Sequence, residues 1–222
     1  MINKFISTSL TVIKWPIALL MLIFSPAAAY VLYSEAKELA INYEDHVLFF
    51  VGFGGYYVLW WFILKRLKVN FFSTFEHELS HAIAATLCFC RVTGLSVTWK
   101  QGGACRYLGQ TNWLIHIVPY FLPTLSIITF LVYSFVPGQA DFYECILAFT
   151  IAYHITSTYT ETHKKQTDLI KVGFIFSFCL LPFTNFFVYS FFLAELNQST
   201  TWIEPFFEQY SFMQEWILTK IG

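Results

Sequence analysis

Charge is scarce in this sequence. Lysine and arginine number 13 and aspartate and glutamate 14 among 222 residues, only 12% of the chain. So few charges cannot cover the surface of a water-soluble protein of this size, which would expose apolar patches beyond what soluble monomers tolerate. The net charge of −1 provides no field to attract nucleic acid, and the basic residues are scattered singly or in twos and threes, which excludes nucleic acid as a partner. Cysteine is sparse and unpatterned. Of five, Cys88, Cys90, Cys145 and Cys179 fall inside apolar runs and Cys105 in a loop, with no C-x-x-C pair, so neither a disulfide framework nor a cysteine zinc site is indicated. Repeats and flexible linkers are lacking too, and residues 1–222 read as one domain.

What fills the sequence instead is apolar and aromatic. Hydrophobic residues make up 57% and aromatics 21%, with 26 phenylalanines and a mean hydropathy of +0.57. Six apolar segments, roughly 10–33, 47–64, 71–90, 113–136, 141–160 and 169–194, are long enough to cross about 30 Å of hydrocarbon. The fold class expected is an all-α integral membrane protein of about six transmembrane helices. Near the start, Lys4, Lys14 and Ala27-Ala28-Ala29 imitate a cleavable secretory signal, but the first apolar run is longer than a signal core and reads as a retained helix. The loop at 34–46 is acidic through Glu35, Glu38, Glu44 and Asp45, whereas the next carries Lys65, Arg66 and Lys68, which puts that second loop in the cytoplasm. Between Arg91 and Leu108, Val92, Gly94 and Ser96 alternate with Thr93, Leu95, Val97 and Trp99 ahead of Lys100-Gln101-Gly102-Gly103, the pattern of a small β-hairpin. The stretch 202–221 mixes aromatic residues with Glu204, Glu208 and Glu215 and predicts an amphipathic helix lying in the membrane interface.

The chemistry concentrates in the third segment. Phe75-Glu76-His77-Glu78-Leu79-Ser80-His81-Ala82 contains an H-E-x-x-H motif that continues into a helix-forming run. On a helix, residues four apart stack on one face, so both imidazoles can point at one metal ion, with Glu78 beside them to take a proton from a water that the metal activates. The pattern arises by chance on the order of once per hundred such sequences, and ionisable side chains in a membrane segment are costly unless they serve a site. His77 and His81 are therefore the expected metal ligands and Glu78 the catalytic base, with one zinc ion per chain.

Catalytic zinc usually takes three protein ligands. Candidates for the third are Asp168 at the head of the sixth segment, Glu161 and His163 in the loop before it, His154 in the fifth segment and His116 in the fourth. Asp168 ranks first, then Glu161 and His154; Asp168 also suits an ordinary helix start, where an acid complements the dipole.

With these residues in hand, the chain resembles the site-2-protease family of intramembrane zinc metallopeptidases. The resemblance rests on His77-Glu78-Leu79-Ser80-His81 in an apolar helix, a glycine-rich hairpin after it, and an aspartate at a helix head about ninety residues downstream, and it covers roughly 70–175, the metal-site core. It implies Asp168 as third ligand, although Leu169 follows where the family usually has glycine. It also implies an endopeptidase that cuts membrane-embedded or membrane-proximal protein substrates, with the Gly102-Gly103 hairpin holding substrate as an added strand; a purely structural loop is the alternative for these glycines.

Strict alternation of six spans would put His77 and Asp168 on opposite faces of the bilayer, where they could not share a metal. The conflict vanishes if the chain between His81 and Trp113 returns to the cytoplasmic side through a half-spanning motif helix or a re-entrant hairpin. The zinc would then lie near the cytoplasmic face and the C-terminus outside. Pro119 and Pro123 would bend the fourth segment and admit water. Two readings compete with an endopeptidase of this kind: a prenyl-protein type of membrane protease, favoured if Glu161 were the third ligand, and a transporter or metal-binding scaffold using the same His/Glu cluster without proteolysis.

Overall fold

The computed structural model describes residues 1–65, 71–98, 102–135 and 140–221. Arg66 and Lys68 of the basic loop and Trp99, Lys100 and Gln101 of the hairpin turn lie outside the described residues. The chain divides into two compact units: Met1–Trp15 with His46–Ser177, and Pro16–Asp45 with Phe178–Gly222.

Helix α1 (Ile2–Ile41) contains the first apolar segment whole. Its residues Ile2 to Trp15 belong to the first unit. Next comes α2 (Val47–Leu59), which continues as a π-helical turn over Trp60–Leu64. The motif helix α3 (Phe71–Leu87) follows. It stops in a Schellman-type cap: Phe89 takes a positive φ of 56° and the Cys90 N–H donates to the Ala85 carbonyl at 2.8 Å, satisfying a carbonyl left open at the helix end. The alternating stretch forms the expected hairpin. Strand β1 (Arg91–Thr98) pairs antiparallel with β2 (Gly102–Leu108), with an irregularity between Val92 and Gly94.

The chain then folds into α4 (Trp113–Ile117), where Asn112 caps the helix by accepting from the Ile115 N–H. A 3₁₀ turn (Val118–Tyr120) leads to α5 (Thr124–Phe135). The two arms meet at a 77° bend. Pro123 stands in that break, since a proline lacks the N–H that would carry the helix through. Helix α6 (Ala140–Glu161) packs against α2, and Gly52 lies so close to the Cys145 backbone carbonyl that no Cβ fits there. Aromatic contacts extend the seam, Tyr56 lying edge-on to Phe149 and Tyr153 at centroid distances of 5.0 and 6.0 Å. Helix α7 (Thr167–Val172) ends at Gly173, whose φ of 94° favours glycine, and α8 (Phe174–Leu196) begins directly after it.

In the second unit, Asn197 donates to the backbone carbonyl and the carboxylate of the buried Glu35 at 2.9 and 2.8 Å. Helix α9 (Glu204–Ile221) occupies the stretch expected to be helical, and Phe206 packs on Phe183 and Phe187.

The expected count of about six spans is not reached. Among the described residues, three helices are long and apolar enough to cross a membrane (Ile2–Ile41, Val47–Leu64 and Phe174–Leu196), or four if the bent pair Trp113–Tyr120 and Thr124–Phe135 is one span. The reason is physical. The segment at 71–90 is cut to 17 helical residues by its cap, and 113–136 is broken at Pro123; the split at Gly173 leaves Phe174–Leu196 long enough to cross.

Candidate metal centre

Three side chains from two distant parts of the chain converge. His77 and His81 sit one turn apart on α3, and Asp168 occupies the first turn of α7. The Nε2 atoms of the two histidines are 3.2 Å apart. Asp168 Oδ2 lies 3.3 Å from His81 Nε2 and 3.7 Å from His77 Nε2. Donors about 2.0–2.2 Å from one tetrahedral zinc stand about 3.3–3.6 Å from each other, so the triangle has the size that one ion requires. His77, His81 and Asp168 thus form a group that could hold a metal.

The outward-facing ring nitrogen of each histidine meets an acceptor. His77 Nδ1 lies 2.7 Å from the Glu161 carboxylate and His81 Nδ1 2.7 Å from the Ile115 backbone carbonyl. Both partners are acceptors, so Nδ1 donates in each ring, and each Nε2 faces the other and a carboxylate oxygen. Two imidazole nitrogens and a carboxylate oxygen facing one another form an arrangement that a cation stabilises.

Asp168 is fixed from its other oxygen. His116 Nδ1 donates to Oδ1 at 2.8 Å, His116 Nε2 pairs with the Thr111 hydroxyl at 2.9 Å, and Lys171 Nζ stands 3.6 Å from Oδ1. Burial would push the Asp168 carboxyl up, but His116, with His77 and His81 beside it, outweighs burial and holds the group well below the usual carboxylate range.

The other sequence candidates occupy different places. Glu161 sits behind His77 and also accepts from the Ser73 hydroxyl, which pairs with Ser157 at 2.8 Å. His116 lies behind Asp168. His154 is buried in α6 with its Nε2 3.4 Å from the Thr158 hydroxyl, and His163 is exposed. Reasoning from the sequence missed Glu76: 6% exposed, its Oε1 accepts from the Leu125 N–H at 3.1 Å, capping the arm beyond the bend. A carboxylate directly before the motif in an apolar run was the available signal.

A cavity of about 950 Å³ opens beside the group, lined by His77, Glu78 and Asp168 together with Gly102, Gly103 and Tyr153. Strand β2 runs tightly over α3 here. A Cβ on Gly103 would stand 2.5 Å from Glu78 Cγ and 2.7 Å from Thr74 Cγ2, closer than Cβ atoms approach.

An apolar helical chain with a metal-sized His₂Asp group, two histidines from its motif helix and an aspartate from α7, defines a class, the membrane-embedded metallopeptidases, and comparison with known families agrees. The Peptidase M50B-like family matches residues 48–193, about two thirds of the 222, and the chain belongs to that family. No curated protein and no solved structure gives a significant match.

Proposed function

We propose that this protein is an intramembrane zinc metalloendopeptidase that hydrolyses peptide bonds of membrane-embedded or membrane-proximal protein substrates. One zinc per chain is held by His77, His81 and Asp168, near the cytoplasmic face. The observation that carries this reading is the triangle of 3.2, 3.3 and 3.7 Å formed by two imidazole nitrogens and a carboxylate oxygen. When bound, zinc supplies Lewis acidity, polarising the scissile carbonyl and making water acidic enough to lose a proton near neutrality.

This chain's own residues do the rest. Glu78 follows His77 on the motif helix and faces the shared cavity, where it takes the proton from the attacking water and returns it to the leaving amine. Glu161 and the Ile115 carbonyl hold the two imidazoles in the tautomer that frees Nε2, and His116 keeps Asp168 ionised and oriented. Among the described residues the hairpin has two strands, and each keeps an unpaired edge there. Substrate drawn alongside Gly102 and Gly103 as an added strand would expose an amide that a membrane helix conceals.

The test is metal content and turnover on detergent-purified protein. Near one zinc per chain in the wild type, lost in His81→Ala and Asp168→Ala, together with cleavage of a membrane-segment peptide that Glu78→Gln abolishes, is the expected result. A folded wild type free of zinc after reconstitution would overturn it.

A further inference from the structure

Residues 1–15 lie ahead of the family match, which begins at 48, yet they belong to the same compact unit as the metal-sized group. Ile6 and Leu10 pack on the core cluster of Ala84, Ala85, Cys88, Cys90, Ile115 and Val118. That cluster joins the end of the motif helix to α4, whose Ile115 carbonyl meets His81.

Polar contacts tie the same segment to three elements around the group. Asn3 accepts from the Gln110 N–H at 2.6 Å and donates to the Cys88 carbonyl at 2.9 Å, bridging the end of α3 and the exit of the hairpin. Ser7 donates to the Gln110 carbonyl at 3.0 Å. The Trp113 indole donates to the Leu10 carbonyl at 2.7 Å.

Lys14 makes the contact that matters most. Its ammonium donates to the Val172 carbonyl at 2.8 Å and stands 4.9 Å from the centroid of the Phe176 ring. Val172 is the last residue of α7, the six-residue helix whose first turn carries Asp168. A helix that short has no stability of its own and is held by what touches its ends. At one end His116 grips Asp168. At the other a cation sits on the terminal carbonyl, where the helix dipole favours positive charge. A lysine inside an apolar helix is costly to place, and this contact gives it a purpose.

We propose that Lys14 is a positioning residue for Asp168, and that residues 3–14 form a strap completing the metal site from outside the part of the chain that defines the family. The inference rests on the zinc reading above.

The test compares full-length wild type, Lys14→Met and Lys14→Arg in detergent. Zinc affinity is read by competition with a chromophoric chelator, geometry by the visible spectrum of the cobalt-substituted protein, and fold by thermal unfolding of the metal-free chain. Lys14→Met is expected to weaken zinc by about tenfold, as partners behind metal ligands do, and to alter the cobalt spectrum. Lys14→Arg restores both, with little change in metal-free unfolding. Should Lys14→Met fail to fold, Lys14→Gln, which keeps a neutral donor, carries the same expectation. Unchanged affinity and spectrum in a folded Lys14→Met protein would sink the strap while leaving the zinc reading intact. A wild type that binds neither zinc nor cobalt would remove both.

Discussion

Glu161 stands behind His77, its Oε2 2.7 Å from the imidazole Nδ1, while its other oxygen accepts from Ser73. This places Glu161 behind His77 rather than in the triangle itself. Glu161→Gln should therefore retain a metal site but weaken it by about ten- to a hundredfold. Asp168→Asn should lose metal far more severely. Isothermal titration of both variants with zinc distinguishes the roles, and equal losses would mean that Glu161 is itself a ligand.

Glu78 is expected to separate binding from chemistry. Glu78→Gln preserves shape and should hold wild-type zinc, yet lower kcat by about a hundredfold or more, the scale of a lost general base. Elemental analysis beside a cleavage assay checks both halves. Substantial residual turnover would assign the base elsewhere.

Gly103 leaves no room for a methyl group over Glu78. Gly103→Ala should push the Glu78 side chain aside, reducing kcat with little change in zinc content. Gly102 has open space around its Cα but a φ of 79°, so Gly102→Ala strains the backbone, by roughly 1 kcal/mol, without pressing on Glu78. Comparing kcat and melting temperature of the two variants separates crowding at the base from strain in the hairpin.

Glu76 caps α5 from inside the protein. Glu76→Ala leaves the Leu125 N–H unpaired and should cost about 1–3 kcal/mol of stability, visible as a lowered Tm in detergent. Glu76→Gln keeps an acceptor and should retain most of it. If Glu76→Ala melts like wild type, the cap has no energetic weight.

Much of the site could be read in the sequence because its chemistry is local. His77 and His81 share a helical face by spacing alone, and the hairpin announced itself through alternation and glycine. Asp168 was placed by resemblance and by its position at a helix head, and the structure brings it to the two histidines. What could not be read was the layer behind. Glu161 and His116 are both candidate ligands by spacing, which cannot distinguish a group in the triangle from one that stands behind it, at the far nitrogen of His77 or the second oxygen of Asp168. The span count erred for a related reason. Hydropathy averages over a window, so it passes across Phe89 and Pro123, where single residues end or bend the helix. Nor does hydropathy register that Lys14, inside an apolar run, reaches residue 172.

Gly52 presses on the Cys145 main chain, and the clash that forbids a side chain at 52 comes from a carbonyl that every amino acid possesses. No replacement at 145 can relieve a larger residue at 52. Saturation libraries should find position 52 intolerant whatever stands at 145, and covariation between homologues will be silent on a contact tighter than many it reports.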